Sequence, residues 1–249
     1  MTKTLGLIGA GRIGGALARL ALAAGLDVVV SNSRGPETLV DTVAQWGEGA
    51  RAVTAADAAR LGDIVVATVP LGALRGLPVD ALAGKTVVDT MNYYPERDGS
   101  LAELDSRELT SSELVQRHLP GARVVKAFNN IDFRRLEILA RPTGAADRSA
   151  LPVAGDSAAA KEETIRLLDV LGYDAVDVGP LSESWRSEPN TAVYVQPYLP
   201  ERPAGPAGGA DVMRWFLDCP GAPLPADRLA GLLRDAVRQS PADARERLG

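Results

Sequence analysis

The chain has 249 residues, of which 46% are hydrophobic and 24% are charged, as in globular rather than disordered or fibrous proteins. Its formal net charge of −5 argues against a nucleic-acid partner, because such partners require a basic surface. One cysteine, Cys219, and one histidine, His118, exclude an internal disulfide framework, suit a reducing cytoplasm and make a metal site improbable.

Apolar segments of the sequence are too short to cross a bilayer. The longest, residues 16–30, is interrupted by Arg19, Gly25 and Asp27. Residues 5–11 are too few for a secretion signal, and Arg12 follows them directly. We therefore expect a soluble, cytoplasmic protein without a membrane partner.

Strand-length apolar runs alternate with Ala- and Leu-rich helical stretches along most of the chain. The predicted strands cover residues 4–8, 27–30, 50–53, 63–69, 86–90, 123–128, 150–154 and 173–178. The predicted helices cover residues 13–24, 37–46, 55–61, 73–82, 111–118, 133–139 and 158–171. This alternation predicts an α/β fold with a doubly wound, mostly parallel sheet that is covered by helices on both faces.

A glycine-rich turn joins the first predicted strand to the first predicted helix. It contains the pattern G-x-G-x-x-G as Gly9, Gly11 and Gly14, with Arg12 and Ile13 between them. The first glycine permits the turn, the second lets the backbone approach a pyrophosphate, and the third lets helix and strand pack closely. The amides at the helix N-terminus attract the phosphates. These residues predict a Rossmann dinucleotide site.

The end of the second predicted strand indicates which dinucleotide binds. An acid here would bind the ribose hydroxyl of NAD, but the sequence has Asn32, Ser33 and Arg34, and Asp27 stands at the opposite end. Hydroxyl and guanidinium groups donate hydrogen bonds to a 2′-phosphate, which a carboxylate would repel. We therefore predict NADP(H), with Arg12 as a second positive charge. A solvated turn arginine is the alternative for Arg34.

The loop predicted over residues 92–106 follows the fifth strand. Loops at the carboxyl ends of strands carry ligand contacts in α/β folds, so Asn92, Tyr93 and Tyr94 are predicted to line a substrate pocket. Tyr93 and Tyr94 are candidate proton donors if the acceptor is an imine or a ketone. Aromatic packing of the loop is the alternative.

Further candidates follow along the chain. Asp132 is an acid or, preferably, the cap of the next helix. Lys126 stands within an apolar strand, and we expect its amine to extend to the strand end. Trp185 is a stacking platform for a flat substrate or a core residue. His118, on a polar helix, is expected at the surface.

The C-terminal part of the chain has a different composition. Residues 196–225 are rich in proline and glycine and predict an extended arm, after which residues 226–239 have an amphipathic helical pattern. We therefore divide the chain into an NADP-binding Rossmann domain over residues 1–130, a small α/β lobe over residues 131–195, and an arm with a terminal helix over residues 196–249.

Segments spread over residues 4–188 together resemble NADP oxidoreductases of the coenzyme F420-dependent type. They are Gly-Ala-Gly-Arg-Ile-Gly-Gly at 9–15, Asn-Ser-Arg-Gly-Pro-Glu-Thr-Leu at 32–39, Thr-Val-Pro at 68–70, Val-Val-Lys-Ala-Phe-Asn-Asn at 124–130, Val-Ala-Gly-Asp at 153–156 and Asp-Val-Gly-Pro-Leu-Ser at 177–182. The resemblance implies hydride exchange between NADP(H) and a 5-deazaflavin, a Rossmann domain with a small C-terminal lobe, and a homodimer.

Position by position, the resemblance also implies roles for individual residues. It places the 2′-phosphate on Ser33 and Arg34, and Asn129 as a polar contact to a ring. The residues that it puts beside the nicotinamide ribose are Thr68, Val69 and Pro70, and those that it puts along the nicotinamide and the acceptor pocket are Ala127, Asn129, Asn130 and Ile131. Trp185 departs from the resemblance, which has arginine there.

The residues leave three functions open, each with a small-molecule ligand. The first is hydride transfer between NADP(H) and a deazaflavin or another flat, conjugated acceptor, which needs alignment more than acid–base groups. The second is an NADPH-dependent imine or carbonyl reductase, which needs a proton donor near the nicotinamide. The candidate catalytic residues are Tyr93, Asn129 and Asp132. The third is an NADP(H) sensor without turnover.

Overall fold

The computed structural model of the protein describes residues 3–202 and 209–238, and an eight-stranded sheet organises them. The strands are β1 Thr4–Ile8, β2 Asp27–Ser31, β3 Ala50–Ala52, β4 Ile64–Ala67, β5 Thr86–Asp89, β6 Arg123–Lys126, β7 Ala150–Gly155 and β8 Asp174–Gly179. Their spatial order is β3-β2-β1-β4-β5-β6-β7-β8, and neighbouring strands are parallel except β6 and β7. The predicted doubly wound, mostly parallel α/β sheet is confirmed.

Helices connect the strands. The α-helices are α1 Arg12–Ala23, α2 Val40–Trp46, α3 Ala55–Leu61, α4 Val79–Leu82, α5 Pro95–Asp98, α6 Ala102–Asp105, α7 Ser111–His118, α8 Phe133–Ile138, α9 Ala158–Val170, α10 Gly209–Asp218 and α11 Ala226–Arg234. Short 3₁₀ helices cover Pro36–Leu39, Leu71–Gly76, Leu181–Ser187 and Gln196–Tyr198. In residues 3–202 and 209–238 no helix is long and apolar enough to cross a membrane.

Several predicted elements differ from the structure for local reasons, among them the loop predicted over residues 92–106, which contains the short helices α5 and α6. The helix predicted over residues 73–82 is split, because Leu77 is extended before Pro78, a residue that disfavours helical backbone in its predecessor. The predicted extended arm is wrong over residues 209–218, which form α10. Val212, Trp215 and Phe216 have the spacing of one helix face there, a signal that the surrounding prolines and glycines obscured.

The terminal helix is shorter than predicted. It ends at Arg234, and residue 239 of the prediction lies outside the described residues. Leu229 and Leu233 of this helix are buried and join the same hydrophobic cluster as Leu5 and Leu7 of β1. The core therefore extends from the first strand to the last described helix, and the division of the chain at residues 130 and 195 stays a prediction.

Alternate residues of the central strands pack on opposite faces of the sheet. Val28 and Val30 belong to one hydrophobic cluster, whereas Val29 belongs to a second cluster. Because both faces are covered, polar ligands have access mainly at the strand ends. From β1 the chain builds the sheet in one direction through β2 and β3, and then in the other direction from β4 onward. In α/β sheets ligands bind at such a switch point, beyond the carboxyl ends of the strands.

Candidate active site

Three glycines shape the turn between β1 and α1. Gly9 has φ +119°, and a Cβ added to it would lie 2.5 Å from the Thr68 Oγ1 atom. A Cβ on Gly14 would lie 2.0 Å from the Gly9 carbonyl oxygen. A Cβ on Gly11, by contrast, would have no described atom within 4 Å. Packing thus requires Gly9 and Gly14 to be glycine, whereas Gly11 leaves open space over the backbone.

The N-terminus of α1 faces this open space. Gly11 caps the helix without a side chain, and the first turn, which contains Arg12 and Ile13, has no acid. Backbone N–H groups at such a terminus point outward, and the helix dipole favours an anion there. This arrangement suits the predicted pyrophosphate.

The turn after β2 presents two polar side chains to solvent. Asn32 holds the turn, because its Nδ2 donates to Thr38 Oγ1 at 2.8 Å and its Oδ1 accepts from the Arg34 amide at 3.0 Å. The side chains of Ser33 and Arg34 are exposed and make no hydrogen bond or ion pair within the described part of the chain. The turn after β2 therefore leaves a hydroxyl and a guanidinium free to bind a ligand beside the glycine turn.

Arg12 lies at the junction between the glycine turn and α8. Its guanidinium carbon is 5.2 Å from the centroid of the Phe133 ring, at the first position of α8. Asp132 caps the same helix, since its Oδ1 accepts from the amides of Arg134 at 3.0 Å and Arg135 at 3.3 Å. The preferred interpretation of Asp132 as a helix cap is confirmed by these contacts, and its role as an acid stays a prediction.

The segment after β4 contacts the glycine turn directly. Thr68 Oγ1 donates to the Gly9 carbonyl at 2.8 Å. Val69 is half-buried and Pro70 is exposed. Thr68, Val69 and Pro70 therefore lie next to the glycine turn at the carboxyl ends of β1 and β4. A nucleotide bound along this edge of the sheet would contact them.

The segments after β5 and β6 are joined by paired amides. Asn92 Nδ2 donates to the Asn129 carbonyl at 2.8 Å, and Asn129 Nδ2 donates to Asn92 Oδ1 at 3.2 Å and to the Ser187 carbonyl at 2.7 Å. Asn129 is 3% exposed, and Asn130, Ile131 and the nearby Ala127 are equally buried. The structure therefore brings Asn92 and Asn129 together and places Asn130 and Ile131 in the interior behind them.

The two neighbouring tyrosines of the loop after β5 have different surroundings. Tyr93 is buried, its hydroxyl lies 2.8 Å from Asp105 Oδ1 and 3.1 Å from the Gly99 carbonyl, and it accepts from the Leu101 amide at 3.0 Å. Burial raises the pKa of the Tyr93 hydroxyl above its usual value. These contacts favour the packing alternative for Tyr93.

Tyr94 points elsewhere. Its hydroxyl is hydrogen-bonded to the hydroxyl of Tyr194, a residue that the sequence analysis did not single out. Burial, followed by the proximity of Tyr94, raises the pKa of Tyr194 well above its usual value, so this hydroxyl remains protonated. Tyr194 stands one hundred positions from Tyr94, and no sequence motif links the two.

Trp185 lies in the 3₁₀ helix Leu181–Ser187 that follows β8. It is half-buried, and the guanidinium carbon of Arg186 lies 4.5 Å from the centroid of its ring. Ser187 of the same helix accepts from Asn129 through its carbonyl and donates from its hydroxyl to Asn129 Oδ1 at 3.2 Å. The segment with Trp185 is thus fixed to the residues after β6.

A buried ion pair joins the ends of β5 and β6, from which the loops of the site begin. Lys126 is 1% exposed, and its Nζ lies 3.2 Å from Asp89 Oδ2 and 2.9 Å from Ser111 Oγ. The expected extension of Lys126 to the strand end is wrong, because Asp89 is its register partner on β5 and neutralises it inside the protein. Ser111 then donates to Glu188 at 2.7 Å. The sequence did contain a signal for this ion pair, because Asp89 and Lys126 have opposite charges and end two adjacent strands.

His118 is half-buried at the end of α7, and its Nε2 has no hydrogen-bond partner within the described residues. Residues 3–202 and 209–238 contain no group of three or more His, Cys, Asp or Glu side chains arranged to hold a metal ion.

Comparison with known proteins identifies relatives of this chain. Residues 4–93 match the family described as NADP oxidoreductase, coenzyme F420-dependent. A hypothetical protein from Sinorhizobium meliloti, SMa0349, has a similar crystal structure with 31% sequence identity and a TM-score of 0.68, over 78% of this chain and 93% of that one. A candidate F420-dependent NADP reductase from Arthrobacter sp. FB24 is 26% identical with a TM-score of 0.61, over 74% and 87% of the two chains.

Two further matches cover a smaller share of the known protein. An imine reductase variant from Myxococcus stipitatus, in complex with NAD+, is 25% identical with a TM-score of 0.51, over 73% of this chain and 56% of that one. The Escherichia coli K12 protein YjhV is 41% identical over 64 residues, which are 26% of this chain and 43% of YjhV. The match therefore spans less than half of that curated relative.

Proposed function

The chain belongs to the family of coenzyme F420-dependent NADP oxidoreductases, and we propose that it passes a hydride between NADP(H) and a 5-deazaflavin of the F420 type. It is accordingly an NADP-dependent oxidoreductase. The deazaflavin is supported by the family match over residues 4–93 and by the name of the Arthrobacter protein. A homodimer remains a further prediction, which light scattering of the purified chain would check.

The proposed binding mode of NADP(H) follows the carboxyl edge of the sheet. The pyrophosphate lies over Gly11 and accepts hydrogen bonds from amides at the start of α1, including that of Ile13. The 2′-phosphate binds the exposed side chains of Ser33 and Arg34, and Arg12 adds positive charge. The residues proposed along the nicotinamide and its ribose are Thr68, Val69, Pro70, Ala127 and Asn129.

One observation carries the choice of reaction. The titratable groups near the ends of β5 and β6 are engaged in structure: Lys126 pairs with Asp89, and Asp132 caps α8. Apart from Arg97, whose side chain is 44% exposed and paired with Asp98, what these loops offer to a substrate is amides and tyrosine hydroxyls. Hydride transfer between two flat rings needs such an environment, because it depends on alignment and exclusion of water rather than on a strong acid or base.

A panel of acceptors tests the proposal. Purified protein and NADPH are mixed in turn with an oxidised deazaflavin, a flavin, cyclic imines and ketones, and the loss of reduced-nicotinamide absorbance is followed. We expect oxidation with the deazaflavin and little with the others. Oxidation by imines or ketones alone would instead establish the second reductase function. Tight NADPH binding without oxidation by any acceptor would establish a sensor.

A further inference from the structure

The hydroxyls of Tyr94 and Tyr194 form a pair at the carboxyl edge of the sheet. Tyr94 follows Asn92 on the loop after β5, and Tyr194 precedes Val195, whose amide donates to the Asn130 carbonyl at 2.8 Å. Both tyrosines are half-buried, and their hydroxyls are within hydrogen-bond contact. The pair therefore links the loop after β5 to the segment that is bonded to Asn130, near the residues after β6 along which the nicotinamide is proposed to lie.

The backbone next to Tyr194 adopts a costly conformation. Val195 has φ +59° and ψ −52°, and the Gln196 amide donates to the Tyr194 carbonyl at 2.6 Å across it. This is a γ-turn of the rare, strained kind, and positive φ is especially unfavourable for a β-branched residue. Such strain persists where surrounding contacts enforce it, often at functional sites.

Tyr94 is fixed from the other side. The guanidinium carbon of Arg97 lies 4.8 Å from the centroid of the Tyr94 ring, and Arg97 also donates to the Asn92 carbonyl at 2.7 Å. The Tyr94 amide donates to Asp98 Oδ2 at 3.0 Å. The ring of Tyr94 thus has a defined position without help from a ligand.

The pair has one hydroxyl hydrogen that is free to donate in a hydrogen bond. Each neutral tyrosine hydroxyl carries one hydrogen, and only one of the two hydrogens is used between them. Burial raises the pKa of Tyr194, so that hydroxyl keeps its proton and acts as a hydrogen-bond donor rather than as a base. The pair is therefore a neutral donor that is already oriented before a substrate arrives.

We propose that the Tyr94–Tyr194 pair binds the carbonyl or imide edge of the flat hydride acceptor and stabilises the negative charge that reduction places there. This assignment rests on the proposed function. The hydride moves with its electron pair from C4 of the dihydronicotinamide to the electrophilic carbon of the acceptor, so NADPH is oxidised to NADP+ and the acceptor is reduced. The tyrosines retain their protons, and water supplies the proton that completes the reduction. A fixed donor at the developing charge lowers the barrier to this step.

The test removes both hydroxyls in the double variant Tyr94→Phe/Tyr194→Phe. We expect kcat/KM for the deazaflavin to fall about a hundredfold, mostly through kcat, because a donor aimed at developing charge acts in the transition state. The dissociation constant of NADPH should stay within about twofold of the wild type. Each single variant should lose less, and the losses should not be additive, since the two hydroxyls act as one unit.

Tyr173→Phe is the matched control. Its hydroxyl is also buried and hydrogen-bonded, to the Leu136 carbonyl at 2.7 Å, but it lies away from the loops of the site. We expect this variant to lose thermal stability and to keep kcat. Wild-type turnover of the deazaflavin with an unchanged kcat in the double variant would overturn the assignment of the pair alone. Absence of deazaflavin turnover in the wild type would overturn the proposed function, and this assignment with it.

Discussion

At the scale of single residues, Gly11 and Gly14 serve different purposes and can be separated by substitution. Gly14→Ala would place a Cβ 2.0 Å from the Gly9 carbonyl oxygen, so we expect a loss of about 1–3 kcal/mol in the free energy of unfolding. Gly11→Ala fits the backbone, because φ is −76° and the space is open. It should leave stability unchanged and weaken NADPH binding at least about tenfold, by keeping the pyrophosphate off the backbone.

Thermal unfolding and NADPH titration of both variants, side by side, measure these effects. If Gly11→Ala binds NADPH with wild-type affinity, the pyrophosphate does not lie over that position.

Arg34 decides between the two nicotinamide cofactors in the proposed site. Arg34→Ala removes a charge-assisted contact worth about 1.5–3 kcal/mol, so kcat/KM for NADPH should fall about ten- to a hundredfold. The value for NADH should hardly change, because NADH has no 2′-phosphate. Arg123→Ala is the control, an exposed arginine at the opposite edge of the sheet. Steady-state kinetics with both cofactors provide the measurement, and an equal loss for both would contradict the role of Arg34.

The residues that sequence could identify are those whose signal is local. Gly9 to Gly14 and the turn at Ser33 and Arg34 each form a short pattern next to a predicted strand, and the structure places them at one edge of the sheet. The Tyr94–Tyr194 contact joins positions one hundred residues apart, so no local pattern indicates it. The pair of Lys126 and Asp89 depends on the register between β5 and β6, which composition does not specify.

At the scale of elements, Asp98 fastens the loop after β5 to the 3₁₀ helix after β4. Its Oδ1 accepts from the Gly72 amide at 3.1 Å, and its Oδ2 accepts from the Tyr94 amide at 3.0 Å. Burial alone would raise the pKa of this carboxyl, but the hydrogen bonds from Arg97, Tyr94 and Gly72 outweigh burial and lower it. The ionised form is thus the one that the fold stabilises.

The sign of the pH dependence follows. Because the folded pKa lies below the ordinary value of 3.8, the contribution of Asp98 is present above that pH and is lost as pH falls through the folded pKa. Asp98→Asn should lower the free energy of unfolding by about 1–3 kcal/mol at neutral pH. It should also flatten the decline of stability below about pH 4.

Urea unfolding at a series of pH values checks the prediction for Asp98. Asp147→Asn is the control, because Asp147 has a lowered pKa and an arginine partner but is exposed. It should leave unfolding nearly unchanged. If the Asp98→Asn protein has wild-type stability at neutral pH, the hydrogen bonds of Asp98 to the Gly72 and Tyr94 amides do not contribute to the free energy of unfolding.

Element types followed from periodicity where the hydrophobic pattern was strong. The alternation of β-branched runs with Ala- and Leu-rich stretches predicted β1 to β8, because buried parallel strands and amphipathic helices leave opposite patterns. The helices α5 and α6 were not predicted within residues 92–106, because each is a single turn and has no apolar face long enough to detect. In α10 the signal was present but was masked by proline and glycine on both sides.

At the scale of the whole molecule, the antiparallel pairing of β6 with β7 appends β7 and β8 to the nucleotide-binding sheet. One hydrophobic cluster runs through this junction, from Leu5 and Leu17 through Phe128 to Leu229. A sheet that shares its core in this way has no plane along which the two parts could separate without exposing apolar surface. We therefore expect the described strands to unfold together.

Leu229→Ala tests this cooperativity from the far end of the core. Leu229 is fully buried in α11, so its truncation should cost about 2–4 kcal/mol. In hydrogen exchange under native conditions, the amides of β1 and β7 should lose protection by the same amount, because both exchange through the same global opening. Val237→Ala, at a position that is 69% exposed, should change neither strand. Loss of protection in β7 and β8 with β1 unaffected would mean that the C-terminal strands open as a separate unit. In that case the predicted boundary at residue 130 would mark a real division in stability, although the sheet is continuous across it.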